Sequence, residues 1–135
     1  MGVSNVSLEQ LEVARAIVDV AAVQNQHSPV SRSSQPQISR CTELDIAFLP
    51  WGPLGGLGGE TSAGPVAQRF AVLARRLGVS AQRLAIAWAL AQSPVVIPIP
   101  GATRPQSVLD DVMALSLQLD DQDMAWLNGT GMAGR

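Results

Sequence analysis

The amino-acid sequence predicts an α/β fold in which parallel strands alternate with helices. Short apolar runs rich in β-branched residues recur along the 135 residues, and a helical pattern follows each run. The connections between them are short, which favours parallel strands joined by right-handed crossovers. Two architectures fit this pattern: a small open α/β sheet, or part of a (βα)8 barrel, which needs roughly 250 residues when complete. We expect one domain over residues 1–128 and a flexible tail over residues 129–135.

The first two strands are predicted before residue 25, with a helix between them. Residues 1–5 have the pattern of a strand's end, and a helix then begins after Ser7. Ser7 and Gln10 have the spacing of a capping box, in which each side chain bonds to the other residue's backbone N–H. Residues 18–24 are apolar with little alternation, as expected of a strand buried on both faces. The pattern then predicts a loop over residues 25–35 and a short helix over residues 36–44.

The middle of the chain predicts a strand, a long loop and two helices. Residues 46–49 form the next apolar run, and residues 52–64 contain six glycines, which is typical of a loop. A helix should start at Pro65 and end at Gly78, because its apolar residues recur on one face and glycine favours the C-cap conformation. Ser80 is placed to cap the next helix, whose apolar residues occur almost all round and should therefore be deeply buried.

The last third of the chain predicts one more strand and two more helices. Residues 95–97 are all β-branched and should form a strand. Pro105 suits the first turn of a helix, and a shorter helix begins near Asp120. The chain then supplies one strand remnant and three full strands, which is about half of a barrel.

The composition excludes several classes of function. The chain has no tyrosine and no lysine, so all nine basic residues are arginines, and its net charge is −2. The missing lysine excludes a Walker A loop and Schiff-base chemistry within this chain, and the scattered arginines do not form the basic patch of a nucleic-acid surface. A single cysteine, Cys41, can form neither an internal disulfide nor a zinc cage, so it implies no redox compartment. The longest apolar run is too short to span a membrane and no secretory signal is visible, so we expect a cytoplasmic protein.

Four short strings follow the predicted strands and carry a resemblance to a known family. They are GVSN at residues 2–5, VQNQHSP at residues 23–29, FLPWGPLGG at residues 48–56 and IPIPGAT at residues 97–103. In this order and at this spacing, each at the carboxyl end of a strand, they resemble the aldo-keto reductases over essentially the whole chain. The resemblance implies the C-terminal half of a (βα)8 TIM barrel, from the end of strand 5 through strand 8 with the closing helices.

That family reduces aldehydes and ketones to alcohols with NADPH and without a metal, so the resemblance implies a site for NADP(H). Ser4, Asn5 and Gln24 would hydrogen-bond the nicotinamide carboxamide, which fixes the ring face that presents the hydride. Trp51 would stack on the ring, and an offset aromatic pair contributes roughly 0.5–1.5 kcal/mol beyond its buried area. The loop that would approach the pyrophosphate begins with Gly52, Pro53, Leu54 and Gly55.

The resemblance places the phosphate and adenosine end of the cofactor after the last strand. Arg104 would pair with the adenosine 2′-phosphate, because a guanidinium fork suits phosphate geometry and favours NADP over NAD. Asp110 and Asp111 occupy, with Ser107, the positions that contact the adenosine end in the family, where Gln, Glu and Asn are common. The remaining predicted phosphate neighbours at this helix start are Gly101, Ala102 and Thr103.

The resemblance also implies what the chain lacks. The family's catalytic Asp, Tyr, Lys and His belong to strands 2 to 4, so we predict no catalytic residue and no carbonyl reduction by this chain alone. His27 follows strand 6 and is predicted at the rim of the barrel mouth. Three hypotheses remain open: a fragment of an NADP-dependent oxidoreductase, a binding or assembly module that pairs with itself or with a separate N-terminal half, and a remnant with no ligand. The second arises because strands 5 and 8 would be left as exposed apolar edges.

Overall fold

A three-stranded parallel sheet forms the centre of the fold. The computed structural model of the protein describes residues 1–55 and 64–131. Strands β1 (Gly2–Ser4), β2 (Ala22–Gln24) and β3 (Ala47–Phe48) lie side by side in chain order. In the β1–β2 register Val3 lies opposite Val23, and Val23 lies opposite Phe48 in turn. The predicted parallel α/β arrangement is thus what the described residues adopt.

Helices follow the strands at the predicted places and have the predicted ends. Ser7 and Gln10 form the capping box at the start of the first helix, and Ser80 and Asp120 accept a backbone N–H at the starts of two later ones. Gly78 ends a helix with φ +67°, a conformation that glycine adopts without strain. The helices are α1 (Leu8–Arg15), α2 (Gln35–Leu44), α3 (Pro65–Leu77), α4 (Ala81–Leu90), α5 (Pro105–Met113) and α6 (Asp121–Asn128), with a 3-10 turn at Ala114–Ser116.

The prediction of a regular strand at residues 95–97 is wrong, although the segment does pair with β3. Two isolated parallel bridges join it to the sheet, Phe48 to Val96 and Trp51 to Ile99. The N–H of Ile97 donates to the carbonyl of Phe48 at 2.8 Å, and the N–H of Ile99 donates to the carbonyl of Pro50 at 3.3 Å. Prolines 94, 98 and 100 interrupt the segment, and proline cannot donate to a ladder, so no continuous strand forms.

Other predicted bounds shift in the structure. The strand predicted over residues 18–24 is limited to its last three residues, because the N–H of Val18 donates to Ala14 and extends the end of α1. The strand predicted over residues 46–49 is likewise limited to Ala47–Phe48. Most of the glycine-rich loop predicted over residues 52–64 lies outside the described residues. Of the predicted tail, residues 129–131 are hydrogen-bonded to the end of α6, and residues 132–135 lie outside the described part.

The helices pack against one face of the sheet and leave the other face open. One cluster of buried residues joins the sheet to α1 and α2 and includes Val23, Phe48 and Val96. A second joins α3, α4 and α6 around Trp88. The strand side chains that alternate with Val23, Phe48 and Val96 point to the opposite face, where Ile97 is 54% exposed. Within the described residues, this second face of the sheet has no helix over it.

Candidate functional site

The carboxyl ends of the strands bring the first group of predicted site residues together. Because the strands are parallel, their ends meet at one edge of the sheet. The N–H of Asn5 donates to the carbonyl of Gln24 at 2.9 Å, and the N–H of Trp51 donates to the carbonyl of Asn25 at 3.1 Å. Asn5, Gln24 and Trp51 are therefore neighbours although 46 residues of sequence separate the first from the last.

A chain of hydrogen bonds fixes the side chains at this edge. The indole N–H of Trp51 donates to Oδ1 of Asn5 at 3.0 Å, and Nδ2 of Asn5 donates to Oγ of Ser4 at 3.2 Å. The Ser4 hydroxyl in turn donates to the carbonyl of Gln24 at 3.0 Å. The Trp51 side chain remains 37% exposed. The arrangement holds one polar edge of the indole and leaves the ring able to meet a planar ligand.

Asn25 supports this edge through hydrogen bonds to the backbone, and it was not among the predicted site residues. Its side chain is buried; Oδ1 accepts the N–H of Val6 at 3.0 Å and Nδ2 donates to the carbonyl of Val6 at 2.8 Å. Since its own carbonyl accepts from Trp51, Asn25 joins the turn after β1 to the segment after β3. Its place directly after Gln24, at the end of a strand, was the available signal.

Two glycines shape the turn that follows Trp51. Gly52 and Gly55 have φ +59° and +53°, and the N–H of Gly55 donates to the carbonyl of Gly52 at 3.0 Å. A Cβ on Gly55 would lie 2.5 Å from Oγ of Ser28 and 2.7 Å from a methyl group of Val30. Only glycine therefore fits at position 55 with this loop in place. Pro53 is buried within the turn and Leu54 is half-buried.

Leu54 also lines a cleft of about 400 Å³ at the start of α5. Four predicted residues meet there, since Gly101, Asp110 and Asp111 line the same cleft. Gln82, Gln106 and Ser107 complete the lining, and of these only Ser107 is at a position to which the resemblance gives a role. Ala102, Thr103 and Arg104 are exposed beside the cleft and do not line it. The turn 52–55 thus runs from the exposed indole to this cleft.

The two aspartates of the cleft have different surroundings. Asp110 accepts hydrogen bonds from the Ser80 hydroxyl and from Nε of Arg83, the latter at 3.0 Å, so α5 is tied to α4. Burial raises the pKa of Asp110, but these hydrogen bonds outweigh it and hold the pKa below its usual value. Burial, together with the charge of Asp110, raises the pKa of Asp111. Asp110 therefore already has partners in the protein, whereas Asp111 faces the cleft with a weakened preference for charge.

Arg104 stands at the N-cap of α5, directly before its first residue. Its side chain is exposed and makes no hydrogen bond or ion pair with another residue of the described ranges. Backbone N–H groups and the helix dipole make such a helix start favourable for anions, and a free guanidinium adds a full positive charge. The prediction that Arg104 meets a phosphate is compatible with this position.

His27 was predicted at the rim of the barrel mouth, but in the structure it lies in the interior. It is fully buried, and its ring stacks on Trp88 with centroids 5.4 Å apart and planes 11° apart. Neither ring nitrogen has a hydrogen-bond partner among the described residues. Burial and the nearby Arg32 guanidinium lower the pKa of His27 to about 4. The expectation failed because the neighbouring β3 and α4 each place an aromatic ring, Phe48 and Trp88, against this loop.

Two kinds of feature are absent from the residues that the structure describes. Across residues 1–55 and 64–131, no three His, Cys, Asp or Glu side chains are grouped so that they could hold a metal ion. In the same ranges, no helix has the length and apolar character needed to cross a membrane.

Comparison with known proteins places this geometry in a family context. A model of the aldo/keto reductase family matches residues 1–130. An uncharacterised oxidoreductase of Schizosaccharomyces pombe is 30% identical over 134 residues, which cover 97% of this chain and 42% of the relative. Pyridoxine 4-dehydrogenase of Escherichia coli is 30% identical over 129 residues, 96% of this chain and 43% of that protein. The chain spans less than half the length of the curated relatives that it matches.

Solved structures give the same proportion. A thermostable aldo-keto reductase, solved with the inhibitor epalrestat, superposes with a TM-score of 0.85 at 21% identity over 96% of this chain and 47% of its own. An aldo-keto reductase of Bombyx mori, solved in complex with NADP, gives a TM-score of 0.79 at 23% identity over 99% of this chain and 45% of its own. The fold is that of part of a larger α/β domain, and the match covers nearly all of the chain.

Proposed function

Since the chain belongs to the aldo/keto reductase family, we propose that it is the C-terminal half of a (βα)8 barrel that carries much of an NADP(H) site. In this proposal β1, β2 and β3 are the end of strand 5, strand 6 and strand 7, and the segment 95–99 takes the place of strand 8. The family reaction is the NADPH-dependent reduction of aldehydes and ketones to alcohols, in which the bound cofactor supplies the hydride.

The hydrogen-bonded edge at Trp51 carries the proposal. Ser4 and Asn5 lie beside the indole, and the Gln24 side chain is half-buried with no hydrogen bond to another described residue. A nicotinamide ring on the exposed indole would bring its carboxamide within reach of these amide and hydroxyl groups.

The cleft at α5 supports the distal half of the site. From the indole, the turn 52–55 leads to the cleft that Gly101, Asp110 and Asp111 line, with Arg104 at the adjoining helix start. We propose that the pyrophosphate follows this turn and that Arg104 meets the adenosine 2′-phosphate. Asp110 contributes mainly by holding α5 against α4 through Arg83.

The proposed half-barrel does not reduce carbonyls by itself. Carbonyl reduction needs a proton donor beside the hydride, and the chain has no tyrosine and no lysine. Its one histidine, His27, is buried against Trp88 and kept neutral, so it cannot deliver a proton at this edge. The chain is therefore a cofactor-binding half, and a non-catalytic binding or assembly module is the alternative that its uncovered sheet face favours.

Titration with NADPH tests the proposal through tryptophan fluorescence. We expect quenching and energy transfer to the reduced nicotinamide that saturate by about millimolar cofactor. Trp51→Phe should remove most of this signal, whereas Trp126→Phe, on α6 and away from the strand ends, should keep it. Arg104→Gln should weaken binding of NADPH about tenfold with little effect on NADH, because only NADPH carries the 2′-phosphate.

Two results would reject the cofactor site. One is the absence of any saturable signal at millimolar NADPH from a chain whose spectrum shows it to be folded. The other is a signal that persists in Trp51→Phe and disappears in Trp126→Phe, since the ligand would then lie elsewhere. Exposed Arg75, on α3, provides a charge-matched control as Arg75→Gln, which should change neither cofactor's affinity.

A further inference from the structure

The two outermost helices of the molecule expose apolar side chains on the sides that face away from the centre. On α1, Val13 is 63% exposed and Ile17, just beyond its end, is 78% exposed. Helix α5 has no buried residue, and Leu109 and Val112 are 66% and 55% exposed. A surface helix normally buries its apolar stripe, so each of these helices lacks a neighbour on its exposed side. The further exposed apolar residues of the α5 edge are Val108, Met113 and Leu115.

The sheet between these helices is open as well. The face opposite the helices exposes Ile97 by 54% and Ile99 by 37%. Strand β1 forms one edge of the sheet and the segment 95–99 forms the other, since β2 and β3 lie between them. The uncovered helix faces therefore adjoin the uncovered strand edges, α1 beside β1 and α5 after the segment 95–99.

The hydrogen-bonding groups of the two edges are complementary. The N–H of Ile97 and that of Ile99 point to β3, so the alternate positions 98 and 100 point outward, and both are prolines without an N–H. The carbonyls of Val96 and Pro98 accept no hydrogen bond from any described residue. This edge therefore offers acceptors and no donors.

The opposite edge offers the donors. The N–H of Asn5 donates to Gln24, and Met1 accepts from Ala21, so the odd positions of β1 face β2. By the alternation of a strand, the N–H groups of Gly2 and Ser4 point away from the sheet. The segment 95–99 of one copy cannot pair with the same segment of another copy, because neither offers a donor. It can instead accept hydrogen bonds from β1 of another copy.

We propose that two copies of this chain close into one eight-stranded barrel, with β1 of each copy paired to the segment 95–99 of the other. Helix α5 of one copy then covers the seam and packs beside α1 of its partner. Two identical seams bury both apolar helix faces and enclose the open sheet faces inside the barrel. The proposal uses the proposed half-barrel architecture but does not depend on cofactor binding.

The complementary edges favour a second copy as the occupant. Each copy supplies one half of each seam, the donors of β1 to one seam and the acceptors of residues 95–99 to the other. No unmatched edge is left, so the assembly stops at two chains instead of growing into a filament.

The molar mass of the chain in solution gives the first test. Light scattering after size exclusion should give twice the 14.2 kDa of one chain, and dilution should reveal a monomer. Val13→Lys and Leu109→Glu place a charge on opposite edges, at positions exposed in the single chain, so folding should survive. Each should weaken the dimer about 100-fold, because each puts an unpaired charge into both apolar seams. Val72→Asp, on the outer face of α3, should leave the dimer unchanged.

Mixing the two variants tests how the copies are joined. A mixed dimer has one seam with both substitutions, where lysine and glutamate attract, and one seam of wild-type sequence. An equimolar mixture should therefore dimerise more tightly than either variant alone. A dimer joined α1 to α1 would instead respond to Val13→Lys only, and one joined α5 to α5 to Leu109→Glu only.

The proposal is overturned by three results. A wild-type chain that stays monomeric and folded at about millimolar concentration has another occupant on this face, such as a separate N-terminal half-barrel. Masses that increase continuously with concentration indicate open, head-to-tail growth. A mixture no tighter than its components rules out the edge-to-edge seams. None of these results affects the NADPH titration, so failure of the two proposals can be told apart.

Discussion

The exposure of single side chains separates the residues that can contact a ligand from those that only support the fold. Trp51 and Asn5 meet at an exposed edge, whereas His27 and Trp88 stack in the interior although all four are polar or amphipathic. Arg32 explains part of the difference. It lies 4.8 Å from the Trp88 ring centroid and donates to Asn128 and to the carbonyl of Leu127, so its charge stands close to His27. A histidine in such surroundings is more stable as the neutral base.

The buried histidine predicts an acid-sensitive fold. Folding lowers the pKa of His27 from 6.5 to about 4, so between these values the unfolded chain takes up a proton and the folded chain does not. The free energy of unfolding should therefore fall by about 3 kcal/mol as the pH drops through this window, and the contribution is fully present above pH 6.5. Urea unfolding at each end of the window measures it.

His27→Phe is the matched comparison, because a phenyl ring can still stack on Trp88 and cannot be protonated. The carboxylates titrate in both proteins, so the difference between their pH slopes isolates the histidine. Equal slopes for the wild type and the variant would show that His27 is as easily protonated when folded as when unfolded.

Among the elements, the turn 52–55 has the sharpest steric requirement. Gly52 and Gly55 share a positive φ, but a Cβ on Gly52 meets nothing within 4 Å, whereas one on Gly55 collides with Ser28 and Val30. Gly52→Ala should cost about 1 kcal/mol from backbone strain alone. Gly55→Ala should cost about 3 kcal/mol, because overpacking adds to the strain.

Urea unfolding measures the stability of the two glycine variants, and the NADPH titration measures their affinity for the cofactor. If the turn forms the path to the α5 cleft, Gly55→Ala should also weaken cofactor binding, and Gly52→Ala should do so less. Equal stabilities for the two variants would mean that the loop at residues 28–30 can move aside, and the turn would then not be held in place.

Sequence patterns predicted the elements whose signals are local. The capping box at Ser7, the cap at Ser80 and the stop at Gly78 depend on residues within one turn of helix, and all three are present. The strand over residues 95–97 was mispredicted because apolar β-branched residues outweighed the flanking prolines in the pattern. The predicted site residues at the strand ends are brought together because parallel strands align their carboxyl ends, which a sequence pattern conveys.

Contacts between residues far apart in the sequence could not be predicted from the sequence pattern. Nothing around His27 in the sequence shows that Trp88, 61 positions later, will stack on it. The same holds for Asp110, whose tie to Arg83 depends on how α5 crosses α4. Asn25 lay beside a predicted residue, but its bonds to Val6 depend on the register of two strands.

At the scale of the whole molecule, surface exposure and hydrogen-bonding capacity point in the same direction. Most apolar residues that remain exposed lie at α1, at α5 and on the open sheet face, and the exceptions are Met1, Val30, Trp51 and Val72. A self-sufficient domain of this size would bury most of them. A second copy offers apolar helix faces and strand edges that match these uncovered surfaces.

Proline at position 98 should set the strength of the proposed seam. It lies at the outward-facing position between Ile97 and Ile99, so Pro98→Val returns an N–H to the edge where only carbonyls are now available. In the closed dimer a carbonyl of the partner's β1 can accept it, once in each seam, and the dimer should tighten about tenfold. The control is Pro94→Val, in the turn before the segment, which has the same loss of proline rigidity in the unfolded chain but lies off the seam. Sedimentation over a dilution series compares the two variants. A dissociation constant shared by both would show that residues 95–99 do not pair with β1, and the apolar helix faces would then have to be covered in another way.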